Sequence, residues 1–168
     1  KEKEYVLNSL ETTFVSSIGS YVDEFEHRIS EFTGSKHTIA TVNGTSALHV
    51  ALILAGGQGG DEVITQSLSF VATGNAIRYC GADPIFVDVE LETLGMSPET
   101  LETYLDENTE LRDDGNCWNL ANNCIVRACV PVHDLGHPVR IKEIAEICNK
   151  YNIVLIEDAA ESLGSFRG

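Results

Sequence analysis

Three short stretches carry side chains whose types and spacing could do chemistry. Gly44-Thr45-Ser46 leads into an apolar helical run. Backbone N–H groups at a helix start lack partners and carry partial positive charge, so they hold phosphate well, and the two hydroxyls add donors. The same residues also suit an ordinary helix cap, and both readings stand. Ser69-Phe70-Val71-Ala72-Thr73 opens a second helix just past a strand end. There Phe70 is either a plate on which a flat ligand stacks or a core aromatic. In "IVLIEDAAESLG", Asp158 and Glu161 follow an apolar run, with only Ala159 and Ala160 between them. Asp158 could cap a turn. Equally, a carboxylate there could pair with a protonated ring nitrogen, the alanines leaving room for a flat ring close to the backbone.

The elements that must position these residues read as alternating strands and helices. Strands are expected at Thr38–Val42, Glu62–Thr65, Ile85–Val89, Cys124–Val132 and Ile153–Ile156. Helices are expected over Ser20–Phe32, where Val22, Phe25, Ile29 and Phe32 repeat and Gly34 supplies a stop, and over Ala47–Ala55, which is apolar nearly all round and suits an interior. Others run from Phe70 to about Cys80, from Ser97-Pro98-Glu99 onward, and over Val139–Tyr151, where Ile141, Ile144, Ala145 and Cys148 share a face. Gly56–Gly60 follows a helix rather than preceding one, so it is a turn and not a dinucleotide fingerprint. Gly81–Pro84 is a second turn. Asp106–Asn123, which includes Trp118, reads as an exposed loop or hairpin.

This alternation predicts an α/β fold of three α/β/α layers around a mostly parallel sheet. The apolar runs Ile85–Val89, Cys124–Val132 and Ile153–Ile156 are expected at its centre. Residues 1–36 form an N-terminal segment with a helix, and residues 37–168 the ligand-binding domain. In such sheets the ligand crevice lies beyond the carboxyl ends of the strands, so the three stretches should converge.

Composition narrows the function. The formal net charge is −15, from 26 acids against 11 lysines and arginines. That surface repels phosphate backbones and disfavours nucleic-acid binding. The five cysteines form no C-x-x-C pair, which argues against a metal site or disulfide framework and fits a reducing cytoplasm. No apolar run is long enough to span a bilayer. The chain starts without methionine and ends in Ser165-Phe166-Arg167-Gly168, which reads as mid-domain sequence, so a fragment of something longer is expected.

A phosphate cradle, an aromatic plate and an acid are the three things pyridoxal 5'-phosphate needs: an anchor, a stacking partner, and a carboxylate at its pyridine nitrogen to make the electron sink. The wording of the chain agrees. "NGTSALHVAL", "GGDEVITQSLSFVATGNAIRYCGADPIFVDV", "CVPVHDLGHPVRIKEI" and "VLIEDAAESLG" resemble the DegT-type nucleotide-sugar aminotransferases, which are fold-type I pyridoxal-phosphate enzymes. The likeness runs from about Phe14, where "FVSSIGSYVDEFE" is similar to the family's entry segment, to the last residue. The polar insert followed by "ACVPVHDLGHP" is most similar to the branch acting on UDP-linked 4-keto-6-deoxy-N-acetylhexosamines, of the legionaminic-acid or bacillosamine type.

The resemblance implies that Gly44, Thr45 and Ser46 hold the cofactor phosphate, Phe70 stacks on its ring, Asp158 pairs with the ring nitrogen and Glu161 lies beside the ring hydroxyl. His133 falls toward the substrate by motif position, or is a solvated loop histidine. It further implies transfer of an amino group from L-glutamate to the C4 keto group of a nucleotide-linked sugar for surface glycans, in a cytoplasmic homodimer with shared active sites. One departure stands out. The family's Schiff-base lysine lies beyond Asp158, and here only Arg167 is basic after that point; Lys1, Lys3, Lys36, Lys142 and Lys150 match no motif position. The chain as it stands therefore lacks the nucleophile of transamination. Three rival readings remain: a sugar dehydratase with histidine for lysine, a non-catalytic regulatory protein that keeps the pocket, and a nucleotide-binding α/β domain without the cofactor.

Overall fold

A computed structural model describes residues 1–13 and 15–166. Phe14 and Arg167, the one basic residue after Asp158, lie outside the described residues. The chain divides into two compact units, residues 1–41 and 42–168.

The first unit holds helices α1 (Glu2–Glu11) and α2 (Ser20–Thr33). α2 stops where the sequence says it must, at Gly34, whose φ of 73° is left-handed and whose N–H closes onto the Ser30 carbonyl. α1 escapes a reading by periodicity because it buries no residue and so has no apolar face to betray it. The strand expected at Thr38–Val42 does not form. A strand needs a ladder. Here the Ala40 N–H is taken by the Glu26 carboxylate at 2.7 Å, and Ile39 and Val42 are exposed.

The second unit is a three-layer α/β/α sandwich. Its parallel sheet contains β1 (Glu62–Gln66), β2 (Asp83–Val87), β5 (Val126–Val130) and β6 (Val154–Leu155) in the order β2-β1-β5-β6. Helices α3 (Gly44–Leu54) and α4 (Val71–Tyr79) cover one face, where Leu48, Leu52, Ala76 and Ile77 pack on Val63, Ala128 and Val130. Helices α5 (Pro98–Asn108) and α6 (Ile141–Lys150) cover the other, where Leu101, Leu105, Ile144 and Ile147 pack on Ile64, Val87, Val126 and Cys129. Ser97 caps α5 as its sequence predicts, accepting from the Thr100 N–H. The polar stretch is a hairpin, β3 (Thr109–Leu111) against β4 (Cys117–Asn119).

Two expectations are corrected. In the sheet that the described residues form, the apolar runs at 85–89 and 153–156 supply the outer strands β2 and β6, while the fully buried strand is β1, with glutamate and glutamine at its ends. Burial is possible there because both ends are satisfied: the Glu62 carboxylate accepts from Asn119 Nδ2 (2.8 Å) and Asn122 Nδ2 (2.7 Å) of the hairpin and the turn after it, and Gln66 is fully bonded as described below. Second, α3 starts at Gly44, three residues earlier than expected, and is not an interior helix; Val50, Ile53 and Leu54 are exposed.

A bulge adjusts β5. Glu62 pairs with Val126 but Val63 pairs with Ala128, so Arg127 is an extra residue. The insertion reverses the alternation. Val126 therefore faces α5 and α6, while Ala128 and Val130 face α3 and α4. Arg127 reaches the buried Asp61, with Nε 3.0 Å from Oδ2.

Candidate functional site

The strand order locates the crevice. From β1 the chain steps outward to β2, then crosses back to lay β5 on the other side of β1, so the direction of winding reverses between β1 and β5. Crevices at such reversals, beyond the carboxyl ends of the strands, are where open α/β sheets bind ligands. A cavity of about 460 Å³ lies there, walled by residues that follow β1, β5 and β6 and by the first turn of α3. Among the described residues its lining includes Gly44, Thr45, Phe70, His133, Asp158 and Glu161, so six of the seven expected site residues share one wall set.

Ser46 is the exception. α3 is capped by Asn43, whose Oδ1 accepts the Ser46 N–H at 2.8 Å, so that amide is already used. The N–H groups of Gly44 and Thr45 find no acceptor among the described residues. A Cβ built on Gly44 would meet nothing within 4 Å. Internal packing thus does not ask for a glycine at this point, whereas an anion approaching the bare amides does.

Phe70 precedes α4 and is 77% exposed, so no described residue packs it into a core. Asp158 is 8% exposed and continues the sheet beyond β6: its N–H donates to Pro131 O (3.0 Å), and its carbonyl accepts from the His133 N–H (3.1 Å). Its Oδ1 accepts the Ala160 N–H at 3.2 Å, and its Oδ2 accepts the Thr73 hydroxyl at 2.7 Å. The carboxylate thus braces the turn, and it also lines the cavity.

His133 is 5% exposed, which corrects the picture of a solvated loop histidine. Its Nδ1 accepts the Val139 N–H (3.2 Å), so in the neutral ring the proton is on Nε2, 3.0 Å from the Glu157 carboxylate. Glu161 accepts the Leu135 N–H at 2.8 Å, pinning a 3-10 turn over residues 134–136 in which Leu135 holds a left-handed φ of 54°.

Sequence reading missed two residues. Gln66, fully buried at the end of β1, donates Nε2 to Leu68 O (2.9 Å) and Asp134 Oδ2 (2.5 Å), and its Oε1 accepts from Met96 N (2.9 Å) and Val132 N (3.0 Å). It ties three loops of the crevice together. Asp134 itself lines the cavity. Burial pushes its carboxyl above the ordinary range, the Gln66 amide pulls it back, and Glu161 and Asp158 push it further up. The signal for Gln66 was a polar residue closing a strand of continuous burial. Among the described residues lining the cavity there is no lysine or arginine, no group of side chains is arranged to hold a metal ion, and no helix is long and apolar enough to cross a membrane.

The profile of the DegT/DnrJ/EryC1/StrS aminotransferase family covers residues 1–167. GDP-perosamine synthase of Caulobacter vibrioides is 38% identical over 168 residues, 99% of this chain and 41% of its own length. A solved DegT DnrJ EryC1 StrS aminotransferase from Brucella abortus superposes with a TM-score of 0.82 at 30% identity, covering 96% of this chain and 40% of that one. NtdA from Bacillus subtilis, solved with bound cofactor PMP, gives 0.78 at 30% identity, with 97% and 34% covered. The chain thus spans about two-fifths of the length of the curated relative it matches.

Proposed function

We propose a reaction from this premise: the chain belongs to the DegT/DnrJ/EryC1/StrS aminotransferase family. The protein that carries it moves an amino group from L-glutamate to the C4 keto group of a nucleotide-linked 4-keto-6-deoxy sugar, with pyridoxal 5'-phosphate as cofactor. One observation carries this reading. Two unpartnered helix-start amides, an exposed aromatic and a buried carboxylate line the same cavity at the winding reversal. Their chemistry fits the cofactor's phosphate, ring face and ring nitrogen in turn.

When bound, pyridoxal phosphate supplies the electron sink that lets an amine change carriers. The residues of this chain prepare that chemistry. Gly44 and Thr45 offer amides and a hydroxyl to the phosphate. Phe70 covers a ring face and keeps water from it. Asp158 holds a proton at the ring nitrogen, and Glu161 stands at the ring hydroxyl. His133, its tautomer set by Val139, faces the substrate side with Nε2–H directed to Glu157. A lysine that would bind the cofactor stands at no motif position of this chain, which spans about two-fifths of its relative's length. A homodimer with shared sites belongs to the same proposal.

The finer reading is a UDP-linked N-acetylhexosamine, supported by the polar insert and "ACVPVHDLGHP". A GDP-linked sugar is the second reading, favoured by the GDP-perosamine synthase at 38% identity. The test is amine transfer by the full-length protein, supplied with L-glutamate and each 4-keto sugar nucleotide in turn, with 2-oxoglutarate release as the readout. Asp158→Asn should lower turnover about 100-fold or more, in line with the loss of a positioned proton-holding group, while leaving the circular dichroism spectrum unchanged. Near-normal turnover in that variant removes Asp158 from its role.

A further inference from the structure

The functional reading gives Asp158 a task that demands a fixed orientation, and the residue that fixes it lies on another element. We propose that Thr73 is a positioning residue: its hydroxyl locks the Asp158 carboxylate in the one orientation that meets a protonated ring nitrogen. This rests on the proposed cofactor.

Thr73 sits in the first turn of α4 and is 2% exposed, so its hydroxyl must find a protein partner. A helical threonine usually donates back to a carbonyl of the preceding turn. This one instead donates to Asp158 Oδ2 at 2.7 Å, across 85 positions of sequence. The direction of that bond is not in doubt chemically, because a carboxylate only accepts. The other oxygen, Oδ1, is held by the Ala160 N–H. With both oxygens engaged the carboxylate plane cannot turn, yet each oxygen keeps a lone pair for a ligand.

Three features sharpen the lock. The branched Cβ of threonine restricts its first torsion, so the hydroxyl is placed at little entropic cost. The Ser69 hydroxyl lies 3.2 Å from Thr73 Oγ1, and a proton donated along that line would polarise the Thr73 bond to Asp158. Phe70 gives α4 no side-chain cap, so the positive end of the helix is free to act on the carboxylate. Without the Thr73 hydrogen, an Asp158 oxygen competes better for the proton it shares with the ring, and that proton moves from the ring nitrogen toward the acid.

Full-length protein reconstituted with pyridoxal 5'-phosphate carrying 15N in its ring tests this by NMR, since the ring nitrogen shift reports its protonation without any turnover. Thr73→Val keeps the shape and loses the hydroxyl; Thr73→Ser keeps the hydroxyl and loses the methyl. Wild type and Thr73→Ser should show a protonated ring. Thr73→Val should move the shift toward the unprotonated value and weaken cofactor binding about tenfold, the equivalent of ~1.4 kcal/mol. Thr73→Ala, which removes any contact between a valine methyl and the acid, should behave as Thr73→Val does and serves in its place if that variant does not fold. A protonated ring in Thr73→Val or Thr73→Ala overturns the role of Thr73 alone. A wild type that binds no pyridoxal 5'-phosphate overturns the functional reading, and this inference with it.

Discussion

Gln66→Leu should loosen the crevice out of proportion to its conservative shape. Gln66 makes four hydrogen bonds, two of them accepted from the Met96 and Val132 N–H groups. Met96 is fully buried and Val132 nearly so, which leaves water no access to either amide once the acceptor is gone. A buried donor left bare costs about 1–3 kcal/mol, so the pair costs about 2–6 kcal/mol. Burial of the leucine offsets about 1–2 kcal/mol. A net loss of about 0–5 kcal/mol follows, centred near ~2.5 kcal/mol, and the centre is a large part of the ~5–15 kcal/mol that holds a typical domain. Native-state hydrogen exchange reads it locally. The Met96 and Val132 amides should lose protection by about 60-fold, the central value at ~1.4 kcal/mol per tenfold. Amides of α5 and α6, remote from the crevice, should show only the smaller change set by global unfolding. If Met96 and Val132 keep wild-type protection in Gln66→Leu, the hub role assigned to Gln66 is wrong.

Two further outcomes concern pH. Asp134 is raised by burial, so the folded state holds its proton longer than the unfolded chain does; its contribution favours folding at low pH and fades as pH rises through the raised value. Asp134→Asn should therefore be more stable than wild type at neutral pH and equal to it in acid, and thermal unfolding across pH 3–8 that finds the opposite order at neutral pH refutes the assignment. Glu99 goes the other way: its hydrogen bond with Arg140 holds its carboxyl down at about 2. That contribution is complete above the unfolded carboxyl range and disappears as pH falls toward 2, so Glu99→Gln should flatten the acid limb of the unfolding profile. An unchanged limb counts against the pairing.

Parts of this molecule were open to reading because chemistry and pattern coincided there. Phe70 and Asp158 stand shortly after strand-like runs, where a strand must end and a crevice begins. The rank of the strands was not open in the same way. Hydrophobic content placed 85–89 and 153–156 at the centre, but the fully buried strand is EVITQ, whose polar ends are satisfied by Asn119 and Asn122 at one end and three loops at the other. Burial follows the supply of partners as much as it follows hydropathy, and those partners come from distant parts of the chain. Thr73 was hidden for the same reason. In sequence it is one more residue in a helical first turn; its partner is 85 positions away.

The charge pattern of the cavity favours the proposed cofactor over a nucleotide alone. Its described lining carries Asp134, Asp158 and Glu161, with no lysine or arginine, and sits in a chain of net charge −15. A nucleotide alone brings only anions, and each added carboxylate repels it. Against that, this wall set offers two bare amides, where hydrogen bonds to a charged acceptor contribute about 1.5–3 kcal/mol each. The Gly56–Gly60 loop cannot help, because it follows α3 rather than opening it. A ligand that is anionic at one point and cationic at another satisfies both sets: its phosphate takes the amides of Gly44 and Thr45, and its protonated ring takes Asp158. The nucleotide-domain reading leaves Asp158 as an uncompensated cost, whereas the proposed cofactor would give it a partner. The same logic sets what any further segment meeting this crevice must bring, since an amino donor with two carboxylates would need cations that the described lining does not hold.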